Sequence, residues 1–151
     1  FDNRETMFYR GLIVAFTVLI GGLIWSNQVD PARANEINLS NEKVSPKITT
    51  VSSQGKINFA KYLYDNNVVM YSAYWCPHCN DQKQLFGKKA VEELIIVECA
   101  KDGKNNQYKL CQEKGIEGFP SWEINNEIYS GTMSLNELAE MTNYDGDINF
   151  E

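Results

Sequence analysis

The sequence predicts an α/β domain built on a mixed sheet, and three observations carry that expectation. Apolar runs of strand length alternate with segments of helical period, an Asn-Asn pair separates two short strands near the C-terminus, and a Ser-x-x-Glu capping box opens a last helix. In chain order, Ile57, Ala60, Leu63 and Tyr64 share one helical face, and the run VVMYSAY (residues 68–74) reads as a buried strand. A second helix starts at Cys76-Pro77, because proline suits the first helical turn, and runs to about Lys89. LIIVEC (residues 94–99) is the next strand. Residues 105–114 read as a helix stopped by Gly115. Residues 121–124 and 127–129 form a hairpin around Asn125-Asn126, a pair that tolerates left-handed backbone. Ser134 and Glu137 form the capping box, and Leu135, Leu138, Ala139 and Thr142 make the inner face of the final helix.

Ahead of this domain lies the block GLIVAFTVLIGGLIW (residues 11–25), which contains no charge. Extended to residues 8–28 it reaches about 31 Å as a helix, enough to cross a hydrocarbon core of about 30 Å with Arg10 at the interface. Tyr9 and Trp25 fall where interfacial aromatics belong. A cleavable signal peptide is the competing reading, with Met7 as a start and Ala32-Arg33-Ala34 as the cleavage site. Arg4 and Arg10 precede the block, so either reading puts the C-terminal domain outside the cytoplasm. The expected organisation is a transmembrane anchor helix over residues 1–28, a polar linker over 29–55 and the α/β domain over 56–151.

Composition excludes several classes. With 151 residues there is room for one domain and an appendage. A net charge of -6 without a Lys/Arg run gives no footprint for nucleic acid, and 43% hydrophobic residues exclude a disordered chain. Residue 1 is Phe, so the sequence reads as processed or cut from something longer.

The chemistry is concentrated in Trp75-Cys76-Pro77-His78-Cys79, a C-x-x-C where a strand meets a helix. A thiolate is the reactive species in thiol exchange. The positive end of a helix and a neighbouring imidazolium both favour that charge on Cys76. Cys79, one turn inside the helix, is placed to resolve a mixed disulfide. His78, the sole histidine, biases the pair toward the reduced dithiol and so makes its disulfide more oxidising. A zinc site with Cys99 and Cys111 as further ligands is the alternative for these residues, disfavoured because no second C-x-x-C exists, so no metal is expected. A purely structural Cys76–Cys79 bridge is the other, and so tight a loop removes little chain entropy. Cys99 and Cys111 read as a structural disulfide, with a relay or regulatory pair as the alternative. Pro120, which opens the hairpin, can be a turn residue or a cis proline.

C-x-x-C after a strand, a proline-initiated hairpin some forty residues later and a last helix resemble a thioredoxin fold, which implies a cis Pro120 beside the redox pair. The blocks YWCPHCNDQKQLFG (residues 74–87), ECA (98–100), GIEGFPSWEIN (115–125) and YSGTMSLNELA (129–139) more closely resemble the C-terminal thioredoxin-like domain of bacterial, especially cyanobacterial, vitamin K epoxide reductase homologues. VAFTVLIGGLIWSNQV (residues 14–29) resembles the helix that tethers that domain. The resemblance implies a thioredoxin-like fold preceded by a single transmembrane helix. It also implies a membrane domain upstream with its own cysteines and a quinone, no cofactor in this chain, and reduced substrate proteins and membrane lipid as partners. The location implied is the periplasm or thylakoid lumen. Catalytic roles would fall to Cys76, Cys79, His78 and Pro120, and a substrate-docking rim to Trp75, Pro77 and Phe119. One departure is Met70, where thioredoxins carry a buried acid; proton handling would pass to His78 or water. A stand-alone reductase or isomerase, or a binding module without turnover, remain the other readings.

Overall fold

The computed structural model describes residues 43–151, so the expected anchor helix, its alternative as a signal peptide and the first part of the linker lie outside the described residues. Among the described residues no helix is long and apolar enough to cross a membrane. The elements are α1 (Gln54–Asp65), β1 (Val69–Ser72), α2 (Pro77–Phe86), α3 (Lys88–Val91), β2 (Ile95–Glu98), α4 (Tyr108–Glu113), β3 (Ser121–Ile124), β4 (Glu127–Ser130) and α5 (Leu135–Met141). They form a four-stranded sheet in the order β2-β1-β3-β4. β1 and β2 run parallel, joined through α2 and α3, while β3 is antiparallel to both β1 and β4. This mixed sheet with helices is a thioredoxin-like arrangement.

Alternation along the strands divides the interior in two. Met70 pairs with Trp122, and both are fully buried in the larger cluster with Phe59, Leu63, Phe86 and Leu138. Phe86 and Trp122 lie 6.1 Å apart, and Phe59 packs on Tyr144 at 4.8 Å and Phe150 at 5.2 Å. Each such side chain contributes on the order of 2 kcal/mol through removal of apolar surface from water. The neighbouring position Tyr71 faces the other way, into a smaller cluster with Val97, Cys99 and Cys111.

Local signals explain most element ends. Ser53 caps α1 through a bond from the Lys56 amide, and the Ser134/Glu137 box forms reciprocally at α5. Asn125 and Asn126 both adopt positive φ, 51° and 66°, as a tight hairpin turn requires. Three expectations need correction. Tyr64 is 57% exposed, and Phe59 takes the inward position instead, because the apolar stripe of α1 lies one step off the assumed face. The helix expected to reach Lys89 breaks at Gly87, whose φ of 85° ends α2 and restarts the chain as α3. The helix expected from residue 105 begins at Tyr108.

Residues 43–52 are laid along α2 and α3. The Gln84 carboxamide oxygen accepts from the Thr49 and Thr50 amides, and Lys88 N–H donates to the Thr50 carbonyl. Ser52 Oγ accepts from Lys89 and Ala90 N–H, capping α3. The segment that composition reads as linker thus supplies the side-chain cap that α3 lacks in its own sequence.

Candidate active site

Cys76 is the N-cap of α2, with extended backbone (φ -78°, ψ 116°), and Pro77 is its first helical residue. An N-cap side chain accepts from the free amides of the first turn, and here the acceptor is sulfur: Cys79 N–H donates to Cys76 Sγ at 3.3 Å. The Cys76 thiol in turn donates to the carbonyl oxygen of Phe119 at 3.5 Å. Both cysteines are free thiols and both are buried, Cys76 at 6% and Cys79 at 1% exposure.

The two thiols differ electrostatically. Burial, reinforced by the hydrogen bond with Cys76, pushes the Cys79 thiol up to about 11, against opposing contributions from the Ala73 backbone and the Ser72 hydroxyl. Ser72 Oγ is buried and has no other partner among the described residues, which leaves it to serve a Cys79 thiolate. An inner sulfur that resists ionisation and an outer one fixed at a helix start are the asymmetry that ordered thiol exchange requires.

Around the pair, Phe119–Pro120 is a cis peptide and Pro120 is fully buried. Trp75 is 59% exposed and meets the Phe119 ring edge-on at 6.1 Å. Pro77 is exposed beside it. Cys76, Cys79, Trp75 and Phe119-Pro120 therefore lie together at the start of α2. His78 points elsewhere: its side chain is largely solvated, and Nδ1 lies 3.9 Å from Asp81 Oδ2. Cys99 and Cys111 are bonded to each other, with Cα atoms 5.8 Å apart, so they are not thiolates available to complete a metal site with Cys76 and Cys79.

Sequence reasoning missed the polar groups behind the pair. Met70 is buried in the apolar core and offers no acid. Lys83 is buried on α2 with Nζ donating to Ser45 Oγ at 2.9 Å, and Cys79, Glu98 and Cys76 all act on its charge. Glu98, at the end of β2, accepts from the amides of Tyr74 and Ala100 through Oε1. The spacing Cys79, Gln82, Lys83, Phe86 marks one inward helical face, which was the available signal for Lys83.

A thioredoxin-like sheet carrying a dithiol at the start of the helix after β1 defines a thiol-disulfide oxidoreductase domain. The comparisons agree with that class. The chain is 42% identical over 148 residues to the thiol-disulfide oxidoreductase LTO1 of Arabidopsis thaliana, covering 93% of this chain and 39% of that protein. It is 29% identical over 130 residues to protein disulfide-isomerase of Saccharomyces cerevisiae, covering 78% of this chain and 24% of that protein. The chain thus spans about two fifths or less of the length of these relatives. No family model matches.

Proposed function

We propose that this domain oxidises protein thiols outside the cytoplasm and hands the electrons to a quinone-reducing membrane domain of the vitamin K epoxide reductase type, in support of disulfide formation. The observation that carries the reading is the arrangement of Cys76 at the start of α2 against the Phe119 carbonyl, with Cys79 buried behind it. A substrate thiolate attacks Cys76 Sγ of the oxidised pair, and the Cys76–Cys79 bond breaks with Cys79 leaving. A second substrate thiolate then attacks the substrate sulfur of the mixed disulfide and expels Cys76. The substrate loses two electrons and gains a disulfide; the domain holds two thiols until the membrane partner reoxidises it. Trp75, Pro77 and Phe119 form the docking rim, with Pro120 behind it. The expected side of the membrane is the periplasm or the thylakoid lumen, on the strength of Arg4 and Arg10 ahead of the apolar block. The alignment to the Arabidopsis protein covers 93% of the chain and so extends into the first 42 residues, beyond the thioredoxin-like domain. The quinone belongs to the partner domain, and none of the steps above passes through it.

The test is the reduction potential of the Cys76/Cys79 pair, equilibrated against glutathione buffers. A value well above the roughly -270 mV of thioredoxin supports the oxidase reading, and a value at or below it makes the domain a reductase or isomerase.

A further inference from the structure

Resting on that reading, we propose that Lys83 is the proton donor to the inner sulfur: its buried ammonium, one helical turn beyond Cys79, compensates the Cys79 thiolate as the disulfide opens and supplies the proton that converts it to the thiol. Lys83 follows Cys79 by four residues, the spacing at which two helical side chains stand on one face, and both are buried there. Lysine is almost never this buried without compensation. Among the described residues Nζ donates to the neutral Ser45 hydroxyl, which orients the ammonium without cancelling its charge. The ionisable groups that act on it are Cys79 and Cys76 from α2 and Glu98 from β2; Ser45, on the segment covering α2, is neutral. Among these, the charge that appears and disappears with the redox reaction is that of the cysteines.

The chemistry follows directly. When a substrate thiolate attacks Cys76, the electron pair of the broken S–S bond goes to Cys79 Sγ, in a buried site where that charge is costly. A preoriented ammonium lowers that cost at the moment the charge develops. Burial pulls the Lys83 ammonium below the ordinary lysine value, so it gives up a proton more readily than an exposed lysine. Transfer of that proton leaves Cys79–SH and a neutral amine, which recovers its proton from water. The reverse transfer regenerates the Cys79 thiolate when the pair is reoxidised. Met70 supplies no acid for this task, and the side chain of His78 lies in solvent beside Asp81.

The test isolates Cys79 in the full-length chain carrying Cys76→Ser and follows its ionisation by the ultraviolet absorbance of the thiolate. Lys83→Met and Lys83→Gln are each expected to lower the thiolate fraction at a given pH about tenfold, with thermal melting unchanged or raised. A folded variant whose Cys79 titrates like the parent overturns the proposal. A second measurement needs no substitution at Lys83: in the unsubstituted chain the Lys83 ammonium, followed by NMR, is expected to titrate at lower pH in the disulfide form than in the dithiol form, and equal titration in both overturns it. Neither readout depends on the direction of electron flow, so a thioredoxin-like potential would refute the oxidase reading while leaving this result to stand or fall separately.

Discussion

The Cys76 thiol is hydrogen-bonded to the carbonyl oxygen of Phe119, 43 positions away in sequence, and this contact joins the helix that carries the dithiol to the Phe119–Pro120 peptide ahead of β3. Phe119 also packs on both buried clusters and meets Trp75 edge-on. Its ring therefore ties Trp75 to the two buried clusters. Phe119→Ala removes that ring while keeping the carbonyl, and it should cost about 1–3 kcal/mol of stability, less than a fully buried phenylalanine. The KM for a reduced protein substrate should rise more than kcat falls, since the rim is lost and the thiols are kept. Calorimetry and steady-state oxidation of a reduced test protein check both; an unchanged KM would remove Phe119 from the docking rim.

The suppressed ionisation of Cys79 has consequences at alkaline pH. An acid whose folded value, about 11, exceeds its unfolded value of 9.0 keeps its proton in the folded state over that interval. The stability it contributes is present below pH 9 and is lost as pH rises toward 11. The loss is on the order of 2 kcal/mol, and Cys79→Ser should abolish that part of the alkaline slope. Urea unfolding of the reduced protein across this interval measures it.

Much of this architecture was legible because its signals are local. The Ser134/Glu137 box, the Asn125-Asn126 turn and the Cys76-Pro77 helix start each act within four residues, and each forms where the pattern placed it. Lys83, Glu98 and Ser45 were not legible, since their significance arises only when α2, β2 and the segment 43–52 are brought together. The same holds for Gly87. Its glycine is demanded by a neighbour some 35 residues earlier and by no repeat in the helix itself. The direction in which the His78 side chain points was likewise not legible: next to both thiols in sequence, it turns outward on the helix, to Asp81.

On the other face of the sheet, Glu123 accepts from Tyr71 Oη at 2.6 Å and from Lys114 Nζ at 2.5 Å. Burial alone would raise the Glu123 carboxyl, but the hydrogen bonds from Lys114 and Tyr71 outweigh it and hold the group below its ordinary value. A depressed carboxylate stabilises the fold above its unfolded value of 4.5, and that contribution disappears as pH falls through the folded value. Glu123→Gln is therefore expected to be less stable than the parent at neutral pH and to approach it in acid. Melting curves from neutral to acid pH check this; a constant difference would mean that the carboxylate's charge is immaterial.

The Cys99–Cys111 bridge packs against Tyr71 and Val97 in the same cluster and closes a short loop, with a sequence separation of 12. Cross-links of this size typically stabilise by about 2–4 kcal/mol, chiefly through the unfolded chain. The double variant Cys99→Ser/Cys111→Ser should lower Tm by on the order of ten degrees. The Cys76/Cys79 potential should stay close to that of the parent, since the bridge lies on the opposite side of the sheet from the α2 core. A large change in potential would instead assign the bridge a relay role.

Gly87 joins the redox helix to the covering segment, and substitution there tests whether that segment is part of the domain's stability. A Cβ at this position would lie 2.7 Å from Ser52 N and from the Val51 carbonyl carbon, on backbone already at φ 85°. Neither partner is a flexible side-chain end, so the clash can be relieved only by moving the backbone of residues 51–52 or by untwisting the α2–α3 junction. Both routes weaken the Ser52 cap on α3 and the Thr50–Lys88 bond. Gly87→Ala is expected to destabilise by well over 1 kcal/mol, and hydrogen exchange at the Lys88, Lys89 and Ala90 amides should accelerate more than exchange in β1. Uniform acceleration across the domain would mean that residues 43–52 and the core unfold as one unit, and the caps would then contribute to global stability rather than to the α2–α3 end alone.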